Sequence, residues 1–500
     1  MFLTKPLFAV GTAVWLSSTA AHALTADQVW KDWQANAKAV GLLLTADPAT
    51  TVGGEMTLRN IQIMAEAEVV FRVPEMTLVE NADSTVNVTV PGTMDLAPPP
   101  TENMTAAVTV KQTGLTITIA EPAPDARTYD FAAESVEVIG SVQSMVDMYD
   151  GGALQPGTSE YTVTLGGMSG TYSDTPGTNR SFGAGLNFSS INVIANQTDP
   201  FTGTSTQNST AKDLVMNAGF VMPAAFDLAA MENPSQMADA LRAGLAVKMD
   251  FSQASGSSDQ SLTSDFLTFA VTSVSGGSDM ALSFDKTGFV AEGESQPISL
   301  TVTSPDMPFP QLDVALGTTA LAFKLPVIGP EVQDFRYMFK IASLTVNDEA
   351  WAAFDPTAVL ARTPIVLDVD VTGRTSLDLF GLIQANDDGT VPPVPQVERA
   401  DIVRLFLSGA GAELSGTGAF TFDNSAGYPL PRGNADLIVK GANKMIDALI
   451  TLGVVTSDEA MGARMAMALI LEPTAEPDVM TSKIEAREDG GLYVNGQRMQ

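Results

Sequence analysis

From about residue 50 onward, apolar and polar residues alternate one by one in short runs. "EMTLRNIQI", "EMTLVE", "STVNVTV" and "LTITIA" carry Met, Leu, Ile or Val at every second position, with Thr, Asn, Glu or Arg between. Clusters of Pro, Gly, Asn and Asp separate the runs. A period of two puts successive side chains on opposite sides of an extended backbone, so each run predicts a strand with one apolar face. The texture returns in "EYTVTL", "LNFSSINVIA", "DFLTFAVTSVS", "DMALSFD", "PISLTVTS" and "IVLDVDVTG". Together these predict a long antiparallel meander with one buried face per strand.

Helical spacing is confined to a few places. Thr25-Ala26-Asp27-Gln28 reads as a capping box before Val29, Trp30, Trp33, Ala37 and Val40, and Gly41 stands where a helix would stop. Asn233-Pro234 opens a second helix through Met237, Leu241 and Leu245. Residues 443–452 and 457–471 predict an αα-hairpin joined at Gly453. "KIEAREDGGLYVNGQ" then closes as a β-hairpin, with turn signals at Asp489-Gly490-Gly491 and Asn495-Gly496. The expected fold class is mainly β (α+β): long antiparallel meander sheets with a few packed amphipathic helices. A split near residue 250 gives two β-rich regions, 24–250 and 251–500. Proline-rich linkers fall at 97–100, 305–310 and 392–395. No short fixed repeat runs through the chain, which argues against a solenoid.

Residues 1–23 have a different character. Lys5 precedes an apolar run at 7–16, and Ala21-His22-Ala23 gives the small-x-small pattern of a signal-peptidase site. This predicts a secretory signal peptide cleaved after Ala23 and a periplasmic protein. His22 is the only histidine, and there is no cysteine. The processed chain would then hold neither imidazole nor thiol. That composition excludes Ser-His-Asp and Cys-His catalysis, structural zinc sites, Fe–S clusters, haem ligation by His and disulfides. No cofactor is expected. The longest later apolar stretch, 460–471, is interrupted by Arg464, so no transmembrane helix is expected after cleavage.

Charge narrows the partners. The chain has 26 Lys+Arg against 58 Asp+Glu, a net charge of −32 that becomes −33 once Lys5 is removed. Such a surface repels nucleic acid and anionic headgroups, and suits solubility or a saline setting. A hydrophobic content of 45% belongs to a globular protein, not to an acidic disordered tail.

Two constellations could carry chemistry. Ser209-Thr-Ala-Lys212 fits S-x-x-K and Lys286-Thr287-Gly288 fits K-T-G, the pattern of penicillin-binding serine enzymes, but no third motif lies between them. Asp368 and Asp370 share one strand face, and Asp387-Asp388-Gly389 is read as a loop. Paired carboxylates could bind Ca²⁺ or serve a glycosidase, and they could equally form a solvated acidic face. Neither the EF-hand spacing nor a G-x-S-x-G, P-loop or Rossmann pattern is present. "GGMSGT" at 166–171 lacks the last glycine of G-x-S-x-G. An outer-membrane barrel fits poorly: aromatic content is 7% and the chain ends Arg-Met-Gln.

Residues 344–373, "LTVNDEAWAAFDPTAVLARTPIVLDVDVTG", resemble the domain-of-unknown-function 2125 family of exported bacterial proteins. So do 414–455, "LSGTGAFTFDNSAGYPLPRGNADLIVKGANKMIDALITLGVV", the closing "DGGLYVNGQ" and the early "TADQVWKDW". Trp351, Pro356, Pro364, Gly416, Gly418 and Gly433 stand in these stretches as packing and turn residues, and the resemblance brings no catalytic residue with it. It also implies a distant similarity to AsmA-type envelope β-proteins, which are linked to lipid homeostasis. The expected function is a non-enzymatic periplasmic envelope protein that binds or carries lipid or another hydrophobic envelope component. The alternative is an exported hydrolase working without His or Cys, through Ser209, Lys212 and Lys286 or through paired carboxylates. Apolar strand faces are usually buried, so a closed core is the simpler expectation than an open groove.

Overall fold

The computed structural model describes residues 23–39, 41–65, 68–96, 103–146, 155–224, 226 and 233–499. His22, with the rest of the predicted signal peptide before Ala23, and the linker at 97–100 lie outside the described residues. The fold is mainly β with few helices, as the alternation predicts.

Helix α1 (Ala26–Ala39) opens the described chain. Short hairpin strands follow: β1 (Leu42–Thr45), β2 (Thr50–Val52), β3 (Glu55–Ala65), β4 (Glu68–Glu80), β5 (Val86–Thr89), β6 (Thr93–Leu96), β7 (Met104–Thr113) and β8 (Thr116–Ala120). Four strands of 20 or 21 residues come next: β9 (Arg127–Val146), β10 (Gln155–Thr175), β11 (Asn179–Asp199) and β12 (Gly203–Pro223). At about 3.3 Å per residue, each is about 70 Å long. Helix α2 (Pro234–Arg242) precedes β13 (Ala246–Gln253), β14 (Ser255–Thr263), β15 (Thr268–Ser275), β16 (Ser278–Asp285), β17 (Gly288–Ser295) and β18 (Ile298–Thr303). After β19 (Leu312–Leu316), β20 (Thr319–Leu325) and β21 (Gln333–Val346) come α3 (Asp348–Phe354), β22 (Ile365–Ser376) and α4 (Leu379–Asp388). Three more long strands, β23 (Gln396–Gly409), β24 (Ala412–Asp423) and β25 (Leu430–Lys440), lead to α5 (Ala442–Thr451) and α6 (Ser457–Ile470). The end is β26 (Glu472–Pro473), β27 (Val479–Ala486), β28 (Leu492–Val494) and β29 (Gln497–Arg498).

The chain forms two compact units that interleave in sequence. One comprises residues up to Phe220 with Ser252–Ala270, and the other comprises Val221–Phe251 with Val271–Gln500.

In the first unit, antiparallel pairing runs β3–β4–β5–β8–β9–β10–β11, with β1 and β2 on β3. One edge of β9 serves two partners. Thr128–Ala132 pair with β8 and Ser135–Ser144 pair with β7. A dense core lies under α1, where Leu24, Val29 and Trp30 meet Leu58, Leu78, Val86 and Ile119. The Thr25 hydroxyl accepts the N–H of Gln28 at 3.2 Å, as the capping pattern predicts. Arg127 ties β9 to the helix, donating to Asp32 at 3.1 Å while pairing with Glu121 at 3.1 Å.

In the second unit, pairing runs β16–β17–β20–β21–β22–β23–β24–β25–β27–β28. Strand β21 repeats the split-edge device, taking β20 along Arg336–Ile341 and β19 along Leu344–Val346. Helix α2 starts at Asn233, whose side chain accepts from Gln236 N at 3.1 Å, and it packs on α4. Helix α6 begins with a full capping box between Thr456 and Glu459. Its Arg464 reaches across the αα-hairpin to Asp447 at 2.6 Å.

Three features depart from the sequence reading. "EYTVTL" is not a short strand but the middle of β10, which continues through Gly166-Gly167 to Thr175. Asp387 and Asp388 are not in a loop: they form the last turn of α4, which Gly389 ends with φ +65°. The alternation also gives no notice of α3 or α4, because one is only seven residues long and the other is weakly amphipathic.

Candidate hydrophobic binding faces

The strands of the second unit sort their side chains by charge. Along one side of β16, β17 and β20 to β25, then β27, the paired registers carry only uncharged residues. One row, for example, reads Phe339, Val369, Leu405, Gly416, Leu437, Ser482. Lys340, Asp368, Arg404, Asp370, Arg336 and Asp401 all stand on the other side. On that polar side, ion pairs lace neighbouring strands. Arg404 meets Asp368 at 2.7 Å, and Arg336 forms a bidentate pair with Asp370 at 2.9 and 3.0 Å. The hydrogen bonds to Asp370 hold the Arg336 guanidinium above its ordinary pKa.

The uncharged side is not enclosed. Helix α4 approaches it where Phe380 meets Phe284, and α5 and α6 cover Val439 and Met480 through Ala442, Leu471 and Met467. Between those ends, Leu321, Tyr337, Phe339 and Leu407 keep 41% to 47% of their surface exposed. Aromatic rings gather here. Phe323 lies edge-on to Tyr337 at 5.0 Å, with Phe289 and Phe335 alongside at 5.8 and 5.7 Å.

These rings pave the sheet more than they project from it. A Cβ added at Gly373 would meet the Phe335 ring at 2.5 Å, because the ring lies over the glycine directly opposite in register. Leu437 lies over Gly416 in the same manner. Large side chains laid flat over neighbouring glycines give a low, smooth apolar surface, unlike the interdigitated ridges of two packed layers.

The first unit has a comparable strip, with a twist in its pattern. Near the start of β9, the apolar side carries Tyr129, Phe131 and Ala133, matched by Met168, Tyr172, Phe182 and Phe188 on β10 and β11. Past Glu134-Ser135, Gly166-Gly167 and Ser189-Ser190, the alternation slips by one residue in all three strands. Val136, Val138, Val163, Leu165, Ile191 and Val193 stand in register with one another beyond the slip, where the pleat itself is interrupted: Gly167 has φ +56°, and Cβ atoms at Gly166 and Gly167 would both meet the Ser189 side chain. The first patch has buried members, Ala133 and Phe188, and its Tyr129 joins the core under α1. None of the second patch is fully buried. Its Tyr161 ring lies over Gly140, the residue opposite it in register.

The residues singled out for catalysis are not drawn into one arrangement within a unit. Ser209 and Lys212 lie three apart on the regular part of β12, so their side chains point to opposite faces. The Ser209 hydroxyl shares a hydrogen bond with Ser258 of β14 at 2.7 Å. Lys286 belongs to the second unit and sits exposed in the β16–β17 turn, where Asp285 accepts from Thr287 N at 2.7 Å. Asp368 and Asp370 do share a face, but each is held by its own arginine. Among the described residues, no group of three or more acidic or histidine side chains is placed to hold a metal ion, and no helix is long and apolar enough to cross a membrane.

The parity slip was visible in the sequence. Apolar residues fall at 131 and 133 but then at 136 and 138, and β10 and β11 slip at matching heights. A slip at one register level in three successive strands marks a break in the pleat at that level.

No family model matches the chain, and no curated protein matches it.

Proposed function

We propose that this chain is a non-enzymatic protein of the periplasm that binds or carries lipid, or another hydrophobic envelope component, on its open sheet faces. The observation that carries this reading is the uncharged side of the second unit, with Leu321, Tyr337, Phe339 and Leu407 half exposed amid nine paired strands. Leaving apolar surface in water costs about 25 cal/mol for each Å², and extended apolar patches mark places where something binds. Backbone donors and acceptors within the sheet are spent on strand pairing, so the face offers an occupant contact without directional hydrogen bonds. Acyl chains meet that description: they are apolar, flexible and without donors of their own.

The test is extraction of the purified protein with organic solvent, followed by mass spectrometry, together with transfer of a fluorescent phospholipid between vesicles. Bound lipid and protein-dependent transfer are expected. Phe339→Asp and Leu407→Asp place a charge on the open face at exposed positions, so folding should survive, as circular dichroism can check. Both should cut transfer about tenfold or more. A clean extract with no transfer would overturn the proposal.

A further inference from the structure

Helix α6 shows its larger apolar residues to solvent. Ala460, Arg464 and Met467, at i, i+4 and i+7, form its covered stripe, where Ala460 is sealed and Met467 packs against Ala442, Leu471 and Met480. Met461, Met465 and Leu469, at i, i+4 and i+8, stay 59%, 65% and 70% exposed. A surface helix ordinarily does the reverse, with its bulk turned to the core. From 460 to 471 the only charged residue is Arg464, and it is engaged by Asp447 of α5.

The open sheet of the same unit supplies the other half of such a contact. Leu321, Tyr337, Phe339 and Leu407 are half exposed on a side whose paired registers hold no charge. A helix with an apolar stripe and a sheet with an apolar face are the two layers of an ordinary domain core. Their dimensions agree. Met461 to Leu469 runs about 12 Å along the helix axis, and β20 to β23, which carry most of the open face, span about 14 Å. Both surfaces lie within residues 233–499, all of them described, and within one chain both are exposed. The two halves therefore do not cover one another.

A second copy satisfies both at once. A two-fold axis sets the α6 stripe of each copy on the sheet of the other, an arrangement that is self-complementary by symmetry. Seven side chains of this size, about half exposed, each leave roughly 100 Å² in water, or about 700 Å² per copy. That approaches the roughly 800 Å² that each partner gives to a standard stable interface. Pairing α6 with α6 alone would draw on three of the seven and fall well short. Charge permits the approach. The ion pairs of Arg336 and Arg404 lie on the opposite side of the sheet, so the centre of the contact strips no charge of water.

We propose that the second unit forms a two-fold dimer in which Met461, Met465 and Leu469 of each copy cover Tyr337, Phe339 and Leu407 of the other. The dimer itself needs no lipid. It uses the face that the carrier reading gives to acyl chains, so lipid and a second copy exclude one another there, and this exclusion rests on that reading.

The chain has no cysteine, so single cysteines report the contact cleanly. Full-length Met465→Cys and Tyr337→Cys chains are stripped of lipid on a hydrophobic resin, mixed and oxidised with copper-phenanthroline. The mixture should give a disulfide-linked dimer, and either chain alone should give several-fold less. Light scattering in about 0.15 M NaCl, where repulsion between copies is screened beyond about 8 Å, should show wild type as a dimer. Met465→Asp, at an exposed position, should weaken the dimer about tenfold or more and leave phospholipid transfer intact. Added phospholipid should convert wild-type dimer to monomer. A wild type that stays monomeric after lipid removal would overturn the dimer. So would a link in Met465→Cys alone as strong as in the mixture, or a dimer that Met465→Asp leaves intact. A dimer that survives saturation with lipid would overturn the exclusion. Dimer and carriage fail separately. A clean solvent extract with crosslinking intact removes carriage and leaves the dimer, and lipid in the extract of a chain that never crosslinks does the reverse.

Discussion

Valine at position 140 would drive its side chain into the Tyr161 ring, which lies over Gly140 from the neighbouring strand. The ring must lift off the sheet, and Gly140→Val is expected to cost about 1–3 kcal/mol. Gly219→Ala, where an added Cβ meets nothing within 4 Å, should be close to neutral. Urea melts of the two variants would show the contrast. Glu485 supplies a pH signature. Hydrogen bonds from Lys483 and Arg487 hold its pKa down at about 2, below an ordinary value near about 4.3. A depressed carboxylate pKa contributes stability above the ordinary value, and that contribution is lost as pH falls toward the folded one. The thermal midpoint of wild type should therefore exceed that of Glu485→Gln at pH above about 5, with the two converging as pH approaches about 2. Neither effect is a property of the residue type alone. Gly140 and Glu485 matter through what the adjoining strand or turn sets beside them.

The polar side of β21, β22 and β23 is a lattice of cross-strand ion pairs. Their arginines are half exposed, and exposed pairs contribute about 0–1 kcal/mol each. Asp368→Ala and Asp370→Ala should each lower stability by less than about 1 kcal/mol. Millimolar Ca²⁺ or a chelator should leave the melting temperature of wild type unchanged, since both carboxylates are engaged by arginine. A calcium-dependent rise lost in Asp370→Ala would restore the metal reading. The shared face of the two aspartates was legible from their spacing of two. Their partners were not, because Arg336 and Arg404 arrive from strands more than thirty residues away on either side. The same limit hid the length of β10: Gly166-Gly167 reads as a break, but the pairing on both sides of it carries the strand through.

For the whole molecule, a net charge of −33 after removal of the predicted signal peptide makes self-repulsion a standing cost of compactness. Raising NaCl from about 0.01 to about 1 M shortens the Debye length from about 30 to about 3 Å. The thermal midpoint should rise over that range, and scanning calorimetry at several salt concentrations would measure it. A midpoint that falls with salt would mean that the ion-pair lattices outweigh the repulsion.

The sequence by itself determined the strand character of the chain, the alternation that gives each strand an apolar side, the helices α1, α2, α5 and α6, and the absence of any imidazole or thiol beyond residue 22. Those properties are local: a period of two fixes a residue's side, and composition fixes the available chemistry. Only the tertiary structure decided whether an apolar side is covered. The closed core was the simpler expectation, and it holds under α1, where Leu58, Leu78 and Ile119 are sealed. It does not hold around Tyr337 and Phe339, which keep 41% and 47% of their surface exposed. Alternation is the same in both places, because it records which side of a strand avoids water during folding. Whether anything lies opposite that side depends on how distant segments pair, and no local pattern encodes that.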